Sequence, residues 1–578
     1  MDVYSTHYII VNFKEVNMKF TEYKYVRPDF DGISNRLLEI AKLVEKEKDV
    51  MAIKALIEET YKLKADYNTM TTLAYIRNSI NTQDEYYEKE IEVAQVEGNK
   101  VASADNVLTK ALVYHPLRAE IEGLVGSHWF KEMELSLKTF DDSIVDLLIQ
   151  EGKLTTEYDK IMASAQIDFD GKINNLAQMR KYLQDVNRDV RREACIKINE
   201  FLEENEEKID TIYDKLVHAR NDMAVKLGYK NFVQMGYDRM GRVDYNAEDV
   251  ANYRKQILED LVPVANEIFM NNAKNIGVDK PMFYDLGLEF LDGNPTPKGT
   301  KDELVAKALK MYTEMSKETG EFFKFMTEHE LLDLDTKPGK ANGGYCTYID
   351  SFKSPFIFSN FNGTSGDVDV LTHEAGHAFM AYSAAPLIPN PELVWPTSEA
   401  CEIHSMSMEF FTYPWMNLFF EDETVKYKTS HTNGAITFIP YGICVDHFQH
   451  MVYENPDATP AERHEMWKKC EKMYTPWRDM EGLPMYEKGC FWFNQLHIFQ
   501  SPFYYIDYTL AQVCALQFYC DSVDNRADAW ERYVKLCRLG GSKSFLNLLS
   551  EVGLNNPFKD GSIKKMMERL NPIMRSYK

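Results

Sequence analysis

The sequence predicts a mainly α protein with one small β-sheet beside a single chemically unusual helix. Three observations carry that prediction. Amphipathic stretches with apolar residues at three- and four-residue steps fill most of the chain from Phe30 to Glu330. Two short runs rich in aromatic and β-branched residues follow, Tyr345–Ile349 and 356–361, each bounded by turn formers. A helical segment carrying two histidines four residues apart comes directly after them.

Composition narrows the function classes. The 578 residues are 44% hydrophobic and 13% aromatic, enough for a large core and too much for a disordered chain. Ninety acidic residues against 66 basic ones leave a net charge of -24. With no basic cluster to neutralise phosphates, no nucleic-acid partner is expected, and docking on anionic membranes is disfavoured. No segment reaches about 18 consecutive apolar residues, so no membrane span is expected. The start, Met1-Asp2-Val3-Tyr4, lacks the basic and apolar regions of a signal peptide. Nine cysteines form no CxxC pair and read as free thiols of a cytoplasmic protein.

The elements follow in order. Leu37, Leu38, Ile40, Ala41, Val44, Ile53, Leu56 and Ile57 predict helix over 36–64. Similar patterns predict helix over 187–227, 247–275 and 302–328, and 331–344 reads as loop. The two strand runs read as a hairpin. The next helix begins near Asp367, capped by Ser365 or Asp367, and stops before Pro386. A second helix covers Ser398–Phe411, and helices resume after Pro440. His447, His450 and His464 fall in that last region and read as structural or surface residues, and Cys346 and Cys401 as packing residues.

The chemistry concentrates in His373-Glu374-Ala375-Gly376-His377. Histidines at i and i+4 share one helical face, so both imidazoles reach a single zinc ion, with Glu374 beside them. A pair of surface histidines would read the same way. A catalytic zinc site takes a third protein ligand and keeps one position open. Glu399, Glu402 and Glu409 on the following helix all compete for that place, and His404 is a fourth candidate.

HEAGHAF followed by SEACEIHSMSMEF resembles the oligoendopeptidase F and thimet oligopeptidase family of zinc metallopeptidases. MKFTEYKYVRPD from Met18, LVHARNDMAVKLGY near residue 220 and GYDRMGRVDY near residue 240 resemble its shorter bacterial oligoendopeptidase F branch. Residues 1–17 then read as an upstream extension. The resemblance implies a multi-helix bowl or clam shape with a deep channel, walled by 18–330, and a zinc catalytic region over 331–578, together forming one cooperative unit. It selects Glu402, 25 residues after His377, as the third ligand of one Zn2+ per chain, and it aligns Glu409 with a further family glutamate. It also implies a histidine and clustered tyrosines lining the cleft, one hydroxyl steadying the oxyanion. Tyr505 and Tyr508 match the family tyrosines, and His497 matches with one residue inserted or deleted. Ser501-Pro502-Phe503 stands where the thimet branch has a glycine-rich turn.

The expected reaction is hydrolysis of short peptides by water whose pKa the zinc lowers towards ~7, with Glu374 as general base. Strand 356–361, with Phe356, Ser359 and Asn360, could take a peptide along its free edge. Gly343 and Gly344 would allow close backbone approach, and Tyr504 is a further substrate contact. A zinc dipeptidyl carboxypeptidase and a non-catalytic peptide-binding protein are the alternatives. A monomer or homodimer is expected.

Overall fold

The computed structural model describes residues 18–577, so the proposed extension 1–17 and the reading of the N-terminal start lie outside the described residues. The chain is 72% helical, and the described residues form one sheet of two strands and one of three. Among the described residues, no helix is long and apolar enough to cross a membrane. Seven of the nine cysteines are buried, and Cys346 and Cys401 are partly exposed.

Two compact units emerge, and each draws on separated stretches of chain. One gathers the described residues up to Phe130, Pro297–Trp395 and Val534–Ser542. The helix expected over 36–64 is two helices here, Phe30–Lys46 and Val50–Ile80. Glu47 leaves helical geometry (φ -72°, ψ 144°), and its carboxylate accepts from the backbone N–H of Lys48 and Asp49. Asp49 then caps the next helix through the N–H of Met51. Apolar periodicity continues across this charged turn, which is why the pattern alone conceals it. The helix expected over 302–328 is likewise divided, into Lys301–Met315 and Lys317–Glu328, at extended Ser316, whose Oγ accepts from the N–H of Thr319.

The three-stranded sheet belongs to this unit. After the hairpin of β1 (Ile167–Phe169) and β2 (Lys172–Asn174) come β3 (Leu332–Asp333), β4 (Tyr345–Ile349) and β5 (Ser354–Phe358). The sheet order is β3-β5-β4, with β3 parallel and β4 antiparallel to β5. The region expected to be loop therefore contains β3. It is pinned by buried Lys340, whose Nζ donates to Asp333 Oδ1 at 2.5 Å and to the carbonyl of Ser359 at 2.5 Å. The helix Gly366–Ala384 packs on β4 and β5 through Val368, Leu371, Ala375 and Ala378, all fully buried.

The other unit gathers Lys131–Thr296, Pro396–Tyr533 and the described residues from Lys543 onward. Asn187 caps the helix Arg188–Lys226, close to the sequence reading. Over 247–275 the helix contains a π-helical turn, Ile257–Leu261. The β1–β2 hairpin here went unread because each strand has only three residues. Pro440 does not precede its helix, as the sequence suggested. It lies inside Thr424–Glu454, flanked by buried Ile436, Ile439 and Ile443. That apolar burial outweighs the lost backbone donor.

Candidate active site

The histidine helix, Gly366–Ala384, is anchored at its start by Asp367. Its carboxylate accepts from the backbone N–H of Asn362 and Gly363, each at 2.8 Å. Asp367 is thus not the cap that its position suggested; it holds the preceding loop against the first turn. Ser365 occupies the cap position without a capping side-chain bond. The His373 and His377 rings lie 5.0 Å apart at 82°, as one helical turn requires. Glu374 and His377 are largely buried. Gly344 lies against Glu374: a Cβ on Gly344 would stand 3.8 Å from Glu374 Oε1 and 3.3 Å from the Phe358 carbonyl.

On Ser398–Phe411, Glu402 is buried and both carboxylate oxygens are engaged. Oε2 accepts from Ser405 Oγ at 2.9 Å, and Oε1 accepts from the Tyr504 hydroxyl at 3.2 Å. The other candidates from this helix have different surroundings. Glu409 Oε2 lies 2.8 Å from His431 Nε2, whose Nδ1 is 2.7 Å from the Tyr413 hydroxyl. Burial and neighbouring Asp507 hold the Glu399 carboxyl well above the usual range, which groups it with the Arg242–Asp507 pair. His404 is fully buried, its ring 6.5 Å from that of Tyr533.

His373 and His377 present two imidazoles from one turn of their helix, a pair that suits a zinc ion completed by one carboxylate and one open position.

Three tyrosines surround His497. Its ring centroid is 5.6 Å from that of Tyr504, 5.0 Å from Tyr505 and 5.8 Å from Tyr508. Gln495 Nε2 donates to His497 Nδ1 at 2.8 Å, while Gln495 Oε1 accepts from the Tyr441 hydroxyl. The proton of neutral His497 therefore sits on Nε2. Burial lowers the His497 pKa, against an upward pull from Glu402. Burial raises the Tyr508 phenol, and Glu402 raises it further. Tyr505 is raised by burial too, but its charged neighbours are Arg478 and Arg180, which oppose the rise. Electrostatics thus separate two tyrosines that sequence left equivalent.

The turn before them has an unusual support. Phe503 adopts left-handed φ 67°, a conformation that favours glycine. Its N–H donates to Gln449 Oε1 at 2.9 Å, and its carbonyl accepts from Arg242 Nη2 at 2.5 Å. Arg242 Nη2 also lies 2.7 Å from Asp507 Oδ1, with both side chains fully buried. Gly236 leaves room for the Phe503 ring, since a Cβ there would meet it at 2.5 Å. Gln495, Gln449 and Arg242 escaped the sequence reading. Arg242 lies in the GYDRMGRVDY segment, but a lone arginine carries no signal of burial.

The expected peptide edge needs correction. β5 is the central strand, bonded to β3 and β4 on its two sides, and Phe356 is 1% exposed. Edge status is not visible in a strand's own sequence, and the partner β3 has only two residues. Ser359 is buried, and its N–H donates to the Asp333 carbonyl. Asn360 Nδ2 donates to the carbonyls of Ala341 and Gly343, fixing the loop. Gly343 takes φ 91°. The sheet order leaves β4 at an edge.

This helical architecture with a His-Glu-x-x-His helix defines a metallopeptidase. Residues 20–140 match the peptidase M3 N-terminal domain, and residues 181–568 match peptidase family M3. The chain belongs to peptidase family M3. An oligoendopeptidase F homolog from Borreliella burgdorferi (strain ATCC 35210 / DSM 4680 / CIP 102532 / B31) is 23% identical over 420 residues, covering 70% of this chain and 69% of its own. A PZ peptidase A solved with an inhibitor superposes with a TM-score of 0.92 at 46% identity, covering 96% of this chain and 99% of that one. A protein from Bacillus anthracis str. Ames, provisionally named oligoendopeptidase F, gives a TM-score of 0.87 at 46% identity, with 97% and 98% covered.

Proposed function

We propose that this peptidase is a zinc-dependent endopeptidase of short peptides. The observation that carries the reading is the helix bearing His373, Glu374 and His377 in a chain of peptidase family M3, with Glu402 as the third metal ligand that the family resemblance selects. A bound zinc ion supplies a Lewis acid and lowers the pKa of water to about 7.

The chain's own residues do the rest. Glu374 takes the proton of the attacking water and passes it to the leaving amine. Its burial keeps bulk water from competing, and Gly344 keeps space beside its carboxylate. Tyr508 donates to the oxyanion. Its raised pKa keeps the phenol protonated, and hence a donor, at neutral pH. His497, neutral with its proton on Nε2, offers a second donor. Tyr504 and Ser405 hold Glu402 in its orientation. Substrate backbone adds as a strand along the outer side of β4, rather than along β5.

Glu374→Gln is the test. The variant is expected to retain metal and lose cleavage of an internally quenched fluorescent peptide. Full activity in it would remove Glu374 as the base. Mass spectrometry of products from an end-blocked peptide separates the endopeptidase from a dipeptidyl carboxypeptidase. Tight peptide binding without turnover by the metal-loaded wild type would make the protein a binder.

A further inference from the structure

A second group of donors gathers within the unit that holds the helix Arg188–Lys226. Glu206, His464 and Cys490 each offer a ligand atom, and these atoms lie within 4.8 Å of one another. Asp210 stands beside His464, its Oδ1 3.0 Å from His464 Nε2. Cys490 Sγ lies 3.6 Å from His464 Nε2. Tetrahedral zinc, with metal–sulfur near 2.3 Å and metal–nitrogen near 2.0–2.1 Å, separates sulfur from nitrogen by about 3.6 Å. The spacing already suits an ion.

Three stretches of backbone build the group. Glu206 and Asp210 stand four residues apart on one face of Arg188–Lys226. His464 comes from the helix Pro460–Tyr474. Cys490 follows Gly489, which takes left-handed φ 94°. A Cβ on Gly489 would meet the His464 carbonyl oxygen at 2.4 Å. Only glycine lets the chain bring Cys490 this close to His464.

The surroundings suit a borderline-soft cation. His464 and Cys490 are buried, and the Trp492 and Phe493 rings stand 6.2 and 5.8 Å from His464. Glu206 and Asp210 are partly exposed, at 22% and 12%, which leaves a path for an ion from solvent. Lys488 pairs with Glu206 and is half exposed, so its ammonium can swing into water when a stronger cation arrives. Sequence gave no warning, because the donors are spread from residue 206 to residue 490 without a ligand-spacing motif.

We propose that Glu206, His464 and Cys490, with Asp210 beside the His464 ring, form a second divalent-cation site of zinc type, tying three segments of this unit together. Binding exchanges the thiol proton of Cys490 for a metal–sulfur bond, releasing one proton to solvent. The proposal does not depend on the peptidase mechanism.

Cobalt(II) is the probe. Metal-stripped full-length protein is titrated with Co2+, following metal content by mass spectrometry and the near-ultraviolet thiolate-to-cobalt charge-transfer band. No cysteine belongs to the His373–His377–Glu402 group, so filling that group gives no such band. The band is expected in wild type and in His373→Ala/His377→Ala, and in Cys401→Ser. It is expected to vanish in Cys490→Ser, with the loss of one bound ion per chain. No band at saturating Co2+, or a band that survives Cys490→Ser, overturns the proposal. If Cys490→Ser fails to fold, Glu206→Gln/Asp210→Asn decides: cobalt affinity at the thiolate band falls at least tenfold, and unchanged affinity overturns the site.

Discussion

The Tyr504 hydroxyl donates to Glu402 Oε1 at 3.2 Å. With Ser405 Oγ on the other carboxylate oxygen, the chain orients Glu402 by its own neutral donors. Groups that orient a ligand typically contribute about 10–100-fold in metal affinity. Tyr504→Phe is therefore expected to lose metal to a chelator about 10–100-fold more readily. Unchanged chelator sensitivity with a raised KM would instead place Tyr504 on the substrate.

Tyr508 and Tyr505 should separate kinetically. Tyr508 feels Glu402, whereas Tyr505 feels Arg478 and Arg180. Tyr508→Phe is expected to lower kcat by about 10²–10³, the usual cost of one oxyanion donor, with metal content unchanged. Tyr505→Phe should cost far less. Steady-state kinetics on one fluorogenic peptide checks both, and a larger loss in Tyr505→Phe would reverse the assignment.

The Arg242–Asp507 pair should matter for both stability and catalysis. Both side chains are fully buried, and Arg242 also carries the Phe503 carbonyl. Arg242→Met leaves the Asp507 carboxylate without its partner, at a cost of about 3–5 kcal/mol. Adding Asp507→Asn in the same chain is expected to restore part of that loss. Urea unfolding of the two variants measures it, and equal midpoints would show that the pair is not coupled.

Acid should weaken the unit through His450. The imidazole is buried, 2.9 Å from the Tyr237 hydroxyl, and faces Asp446, Arg254, Arg242 and His447. Burial lowers its pKa from 6.5 to about 4. The unfolded chain therefore takes up the proton first, so this contribution is full above pH 6.5 and is lost as pH falls through about 4. In the limit it is about 3 kcal/mol. Glu471 works in the opposite sense, because burial raises it from 4.5 to about 7 and penalises the fold as pH rises through that window. Urea midpoints at several pH values should fall with acid less steeply in His450→Gln than in wild type. Glu471→Gln should gain stability chiefly in alkaline buffer.

The parts of the site that are local were legible in sequence. His373, Glu374 and His377 need only a helix to share a face, and Gly366–Ala384 is helical. The paired runs before it read as strands, and β4 has the bounds that its composition predicts. Helix breaks at Glu47 and Ser316 were not legible, because both lie in charged or polar turns across which the apolar period continues.

Other assignments depend on contacts across long stretches of chain. Glu399, Glu402 and Glu409 are chemically alike on one helix, and only packing groups Glu402 with Tyr504 and Ser405, Glu399 with Arg242 and Asp507, and Glu409 with His431. The central place of β5 rests on the two residues of β3, too short a strand to announce itself. Phe503 reads as an unlikely turn residue until Arg242 and Gln449, 261 and 54 residues away, are seen to hold its backbone. Sequence by itself determined the helical class and the di-histidine motif with Glu374 between its histidines. The tertiary structure decided which partners each carboxylate takes, which strand lies at the centre of the sheet and which tyrosines lie near Glu402, because side chains far apart in sequence become neighbours only through packing.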